Sequence, residues 1–269
     1  MNFSKMNKLL TFKTGKITCK GSVIFYNNEP ISTHKVSMIY ISGDTSITNS
    51  AICFISLIGI TIIFKHNHYP ITHLNPGLNN SKYHIAQLKN VKKIKQQKKI
   101  IIKLRSSISK QMGLPMLSDF IKDDFSLLDE ARYMKYLYVK ICKKFNISWK
   151  GKKTTGSETN MHFWWYLLYA LIETACMRIG VNPHIGIIHK CKKGLVYDVS
   201  DIIKPIFLQD SIISEKGDVK AFWDIYKKYK VNMLIIKIIG SIVTLDHSYQ
   251  VDLSKHLECS LPRSHPYHE

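Results

Sequence analysis

The chain has 269 residues, and its 39 Lys and Arg against 19 Asp and Glu give a formal net charge of +20. That length allows two modest domains, each with its own core, and that charge points to a polyanion, with nucleic acid the leading partner and a strong salt dependence expected. The six cysteines form no CxxC pair and no regular spacing, which excludes a zinc-ribbon site or a disulfide framework and reads as reduced, cytosolic thiols.

The N-terminal residues MNFSKMNKLLTFKTGK lack the apolar core and cleavage site of a signal peptide, so a cytoplasmic location is expected. From Lys16 to Phe64, short β-type runs alternate with turns: KITCKGSVIFY, the turn NNEP, KVSMIYI, SGD and GITIIF. The apolar run 51–64, AICFISLIGITIIF, is shorter than the roughly 20 residues a bilayer requires. It is expected to be a short helix, about Asn49 to Ile58, followed by a core strand, with no role for a membrane. The stretch HNHYPITHLNPGLNNS, with Pro70, Pro76 and Gly77, reads as a loop or linker.

Beyond it, segments 82–111, 115–145, 160–180, 199–209 and 218–245 carry apolar residues at helical spacing. The fold class expected is therefore α+β. An N-terminal, mostly β domain with one short helix (1–80) precedes a larger all-α catalytic domain (81–245), and 246–269 forms a flexible tail.

Charge is as uneven as secondary structure. No Asp or Glu lies between Thr45 and Ser118, whereas eleven Lys or Arg do, eight of them in KKIKQQKKIIIKLRSSISK (92–110). A solvated helix face usually mixes both signs, so this run, with Lys103 and Arg105, reads as a phosphate-binding face. A peripheral contact with anionic lipid is the other reading that charge alone leaves open.

The scarce acidic residues are the next signal. In FSLLDEARYMKYLYVKICKKF, Ser126 is positioned to cap a helix, with Asp129 three residues on and Glu130 in the first turn, beside an expected buried stripe of Leu127, Ala131, Met134 and Tyr138. Glu130 is then either a functional carboxylate or a surface one favoured by the helix dipole. In IGVNPHIGIIHKCKKGLVYDVSDIIKP, an irregular turn set by Pro183 and Gly186 leads to His189. A basic loop (Lys190, Lys192, Lys193) follows, then Asp198 and Asp201, which share one face at i and i+3. Two carboxylates and an imidazole suit Mg²⁺ or Mn²⁺. The residues alone equally allow Asp198 as a helix cap and His189 as a satisfied core histidine.

These two segments carry a resemblance. The run GVNPHIGIIHKCKKGLVYDVSDIIKP resembles the signature of the CRISPR-associated integrase family, the first Cas protein: G-x-x-P-x-x-G-x-x-H, a Lys-containing loop, then Y-D-x-x-D. LLDEARYMKYLYVKICKKFNISWKGKK resembles the family's catalytic-Glu helix, its S-W-K-G-K-K ending being most similar to the type I-E branch, and KTGKITCKGSVIFY with VSMIYISGDTSITNSAICFISLIGITIIF resembles its β domain. The likeness runs from about residue 8 to 245.

It implies an enzyme of CRISPR adaptation, a metal-dependent endonuclease and integrase that inserts new spacers by 3′-hydroxyl transesterification. Glu130, His189 and Asp201 would be the catalytic metal ligands, with Asp198 as a fourth candidate and Mg²⁺ or Mn²⁺ as cofactor. Lys192 would face DNA at the active site, with Lys190, Lys193, Lys152, Lys153, Lys103 and Arg105 as further DNA contacts. The partners implied are protospacer and leader-repeat DNA, a second copy in a homodimer, and a dimer of the second Cas protein. Departures are Ala131 where the family has Gly, a 190–197 loop one residue shorter, Thr14 (with Phe12 nearby) at a fork-splaying aromatic position, and Thr154 in place of a tyrosine. Rival readings are a solo integrase of a mobile element, a branched-DNA nuclease, and a catalytically silent DNA-binding scaffold.

Overall fold

A computed structural model describes residues 8–254, apart from 35, 67–68, 74–80, 122–125, 147–156 and 214–218. The N-terminal part holds two four-stranded sheets. Its elements are β1 (Lys8–Phe12), β2 (Gly15–Lys20), β3 (Val23–Tyr26), β4 (Glu29–Ile31), β5 (Val36–Ile41), β6 (Thr45–Ile47), α1 (Asn49–Leu57), β7 (Thr61–His66) and β8 (Tyr69–His73).

In the first sheet, ordered β1-β5-β7-β8, β1, β5 and β7 run parallel and β8 antiparallel. The second, ordered β4-β3-β2-β6, is built from two hairpin joints and a parallel β6. Asn27 and Asn28 both take left-handed backbone angles between β3 and β4, as a two-residue hairpin turn of the primed type requires. The NNEP turn is thus the two asparagines alone, and Glu29 and Pro30 already belong to β4.

The 51–64 run is helix then strand, as its length implies. Thr48 caps α1 by accepting from the Ala51 amide, and Ala51 and Ile55 are its buried face. The stretch read as a linker contains β8, which pairs Ile71 with Phe64 and Pro70 with Lys65. Pro70 obscured it: proline interrupts a central strand but is accepted on an edge strand such as β8, where no further ladder bond is required.

The helical part comprises α2 (Ser81–Asn90), α3 (Ile94–Gln111), a 3-10 turn (Leu117–Asp119), α4 (Leu127–Lys144), α5 (Ser157–Arg178), α6 (Gly194–Ile213), α7 (Val219–Lys228) and α8 (Val231–Thr244). Two cores result. Ile39, Ile41 and Ile62 join Ile17, Ile24 and Ile55 inside the β part. Met38, Tyr40 and Ile63 face the other way and enter the large helical core. Strands β5 and β7 are therefore buried on both faces, as parallel strands usually are, and they couple the two parts.

Residues 246–254, expected as free tail, instead lie along α3. Lys103 Nζ donates to the His247 carbonyl, and Gln111 holds both sides of the strap, donating to the Val251 carbonyl at 2.7 Å and accepting from the Leu253 amide at 2.6 Å. Val251 and Leu253 are buried. Only 255–269 of that segment falls outside the described residues.

Candidate metal centre

Helix α4 is nucleated by a full capping box. The Ser126 hydroxyl accepts from the Asp129 amide, and the Asp129 carboxylate accepts from the Ser126 amide at 3.1 Å. This fixes the helix start and hence the direction of Glu130. The buried stripe is Glu130, Tyr133, Leu137 and Ile141, whereas Leu127 and Leu128 are 48% and 59% exposed and Ala131 is exposed. Glu130 sits on the core-facing stripe itself rather than beside it, which corrects the expected pattern.

A carboxylate there needs partners. Arg105, on the buried face of α3, donates from Nη1 to Glu130 Oε1 at 2.8 Å and lies 5.0 Å above the Tyr133 ring. Tyr133 in turn donates its hydroxyl to the Pro115 carbonyl at 2.7 Å, which ties α4 to the segment after α3. Arg105 was expected on the DNA-facing surface; its side chain is fully buried. An arginine whose neighbours at helical spacing are Ile101, Leu104 and Ile108 is on the core face, and the Glu130 carboxylate and the Tyr133 ring are what it meets there.

His189 is placed by the irregular segment between α5 and α6. A Cβ on Gly186 would lie 2.0 Å from the His189 carbonyl oxygen, and one on Gly194 2.2 Å from the same atom. The two glycines let the chain close around that carbonyl, which no larger residue permits. Asp198, from the first turns of α6, reaches back and gathers the segment: its carboxylate accepts from the amides of Ile187 (2.5 Å), Ile188 (3.2 Å) and His189 (3.0 Å). It also lies 2.8 Å from His189 Nδ1. Both Asp198 oxygens are thereby committed, which places Asp198 to orient the His189 ring and leaves it outside the cluster of donor atoms.

Asp201, one turn further along α6, is paired through Oδ1 with Lys204, whose side chain is only 13% exposed and lies over the Tyr169 and Trp165 rings. The result has one logic. Each candidate ligand is pinned at one atom, Glu130 Oε1 by Arg105, His189 Nδ1 by Asp198 and Asp201 Oδ1 by Lys204, and presents the other to a shared space. His189 Nε2 lies 3.3 Å from Glu130 Oε2 and 3.7 Å from Asp201 Oδ2, and the donor set falls within 4.8 Å. Glu130 Oε2 is buried and accepts from no donor in the metal-free fold, a position that a cation displacing the carboxyl proton would satisfy.

The electrostatics agree. Burial, then the Asp201 charge, raises the Glu130 pKa to about 8. Burial would also raise Asp201, but Lys204, the Glu130 carboxyl and Arg105 outweigh it and hold Asp201 below the usual carboxylate range. The two carboxyls are thereby pushed apart, Glu130 toward its protonated form and Asp201 toward its ionised one. Burial opposes a charged His189, yet the Asp198 hydrogen bond and the Asp201 and Glu130 charges raise its pKa. The donor set fits a hard divalent cation, which would replace the protons that now keep three close groups compatible.

The other sequence-predicted residues divide. Lys192 is exposed and has no hydrogen bond or ion pair among the described residues. Lys190 is exposed and donates to the Gly186 carbonyl at 3.2 Å. Lys193 is bound to buried Glu173 at 2.7 Å, which anchors the loop to α5. Lys103 is exposed but shared with the strap. Lys152 and Lys153, like Thr154, lie outside the described residues. Lys204 escaped the sequence reading, although its i+3 spacing from Asp201 was a signal; Glu173 left none.

No family model matches the chain. In sequence it is 25% identical over 125 residues to a CRISPR-associated endonuclease Cas1 of Chlorobaculum tepidum, a match spanning 42% of each protein. In structure it is similar to a Cas1 protein from Thermotoga maritima (TM-score 0.71, 14% identity, 88% of this chain and 97% of that one). It is also similar to TtCas1 in complex with DNA (0.67, 14%, 90% and 92%) and to a casposase bound to integration product (0.66, 14%, 92% of each). The architecture, a strand-rich part followed by a helical domain, defines the class: the Cas1 fold, which Cas1 proteins and a casposase have in common. The partial sequence match and the fold thus agree on Cas1 proteins as what the chain is similar to.

Proposed function

We propose that the chain is a metal-dependent DNA integrase of CRISPR adaptation, joining donor ends to target DNA by transesterification. The observation that carries this reading is the convergence of Glu130 Oε2, His189 Nε2 and Asp201 Oδ2, each with its opposite atom fixed by a separate partner. Held by these atoms, Mg²⁺ or Mn²⁺ would supply Lewis-acid stabilisation of charge developing on a phosphate.

In the proposed step the 3′-hydroxyl oxygen of a donor strand forms a bond to a target phosphorus. The target's own 3′-oxygen–phosphorus bond breaks, and the proton lost by the attacking hydroxyl is balanced by one taken up at the leaving oxygen. One phosphodiester replaces another, so no nucleotide triphosphate is consumed, and the sequence contains no G-x-x-x-x-G-K-[ST] run. The chain's own part is positional. Asp198 holds the His189 ring, Lys204 and Arg105 hold the carboxylates, and exposed Lys192 and Lys190 stand beside the site to bear on the phosphate backbone. The basic α3 and the net charge of +20 favour DNA as the polyanion. Homodimerisation and assembly with the second Cas protein are proposed on the likeness to Cas1 proteins.

The casposase match, with a TM-score close to those of the Cas1 proteins, supports one second reading: an integrase of a mobile element that acts without a second Cas protein. The test is a joining assay with a splayed donor duplex and a supercoiled target in Mg²⁺ or Mn²⁺, with and without the neighbouring second Cas protein. Joining by the wild type and its loss in Glu130→Ala, His189→Ala and Asp201→Ala, with DNA binding retained, is the expected result. Unchanged joining by all three variants would overturn the assignment, and full activity without the second protein would favour the mobile-element reading.

A further inference from the structure

We infer that a cavity at the junction of the β and helical parts binds a small inorganic oxyanion of the phosphate or sulfate kind. The cavity has a volume of about 60 Å³ and shares no residue with the metal centre. At ~10–15 Å³ for each water it contains, that is space for about four waters or one tetrahedral oxyanion. Its polar lining comes from both parts of the molecule: Thr61 of β7, Thr174 and Arg178 of α5, Tyr226 of α7 and Asn232 of α8.

The lining asks for an anion on two independent grounds. The first is charge. Arg178 is partly buried, its guanidinium donates to the Gly59 carbonyl, and among the described residues no carboxylate lines the cavity or acts on Arg178. A partly buried cation with a carbonyl as its hydrogen-bond acceptor has charge left for an anion to meet. The second is hydrogen bonding. Thr61 is 1% and Tyr226 8% exposed, and both residues line the cavity, where a bound group can reach their hydroxyls. Buried hydroxyls are costly unless bonded.

Water would satisfy the hydroxyls but leave the guanidinium charge standing. An oxyanion accepts from the Arg178 guanidinium, both hydroxyls and the Asn232 amide together. The surroundings are of the same sign, since the first turn of α8, where Asn232 sits, contains no acidic residue. Lined otherwise by apolar residues such as Met38, Leu171 and Ile235, a space of about 60 Å³ suits the free ion better than the sugars of a nucleic-acid backbone. Bound there, it would bridge β7 to α5, α7 and α8 and brace the two parts against each other.

Thermal denaturation at constant ionic strength, with chloride exchanged for inorganic phosphate or sulfate, tests this. The wild type is expected to show a saturable rise, roughly 3–6 °C at ten times the dissociation constant. The Thr61→Val/Tyr226→Phe double variant, which removes two hydroxyls and little volume, should lose the rise, as should Asn232→Leu. Duplex DNA affinity should be the same for the wild type and the double variant, which separates this site from the DNA-binding face. No saturable response in the wild type, or an equal response in both variants, overturns the proposal; DNA competing with the phosphate-dependent rise assigns it to the basic surface and overturns it equally.

Discussion

His189 Nδ1 lies 2.8 Å from Asp198 Oδ1, and the same carboxylate receives the amides of Ile187, Ile188 and His189 itself. One side chain thus fixes both the loop that presents the imidazole and the ring's orientation, leaving Nε2 toward Glu130 and Asp201. Asp198→Asn keeps the shape but loses the charge and one acceptor. Second partners of metal-bound histidines typically contribute 10–100-fold to affinity, so Mn²⁺ binding by calorimetry should weaken by about that factor while helical content stays native. An unchanged affinity would show that the Asp198 contact does not position His189.

Arg105 and Lys192 separate burial from DNA contact. Because Arg105 is fully enclosed and bonded to Glu130, Arg105→Met should lower stability, by about 3 kcal/mol if Glu130 stays ionised and less where Glu130 takes up a proton. The salt dependence of DNA binding should not change. Lys192 is exposed, so Lys192→Ala should leave stability alone and reduce the salt slope by about 0.9 for one lost phosphate contact. Denaturant titration and binding isotherms at several salt concentrations distinguish the two; a reduced slope in Arg105→Met would return that residue to the DNA face.

The parts of this site that the sequence displayed, and those it hid, follow from what each residue does. Glu130, His189 and Asp201 were visible as chemically distinctive residues in recognisable runs, and the Ser126 cap was visible because capping is local. The core-facing position of Glu130 was not, since Leu127, Ala131, Met134 and Tyr138 form a second apolar stripe beside the one the helix buries. Tertiary pairing with Arg105 decides that choice, and no local pattern encodes it. The same holds for Arg105, which looked like one more cation in a basic helix, and for β8, whose Pro70 is compatible with a strand only at a sheet edge. The strap at 246–254 was hidden for a similar reason: polar residues around Val251 and Leu253 dock through main-chain bonds to Gln111, a contact 142 residues distant in sequence.

Gly186 offers a steric test. Its missing Cβ is replaced by the His189 carbonyl, and Gly194 packs against it from the other side. Gly186→Ala puts a methyl group where backbone already sits, so the segment must open and His189 must move. Loss of Mn²⁺ binding together with a clear fall in melting temperature is expected, although the substituted residue touches no metal. Native metal affinity in this variant would mean that the close approach of the two glycines is not required.

Protonation of Glu130 gives the pH dependence its sign. Its pKa is about 8 in the metal-free fold against 4.5 for the free group, so between those values the folded chain holds a proton that the unfolded chain has released. Stability of the metal-free protein from this group is fully present below pH 4.5 and declines as pH rises toward about 8. A divalent cation must displace the same proton, so its affinity runs the opposite way, strengthening with pH and levelling near 8. Chemical denaturation of the metal-free chain across this range, paired with Mn²⁺ titrations in buffers of different ionisation enthalpy, should show falling intrinsic stability, rising metal stabilisation and proton release on binding. Glu130→Gln removes the titrating group: its metal-free stability should be flatter over the same window, and a profile as steep as that of the wild type would place the proton elsewhere.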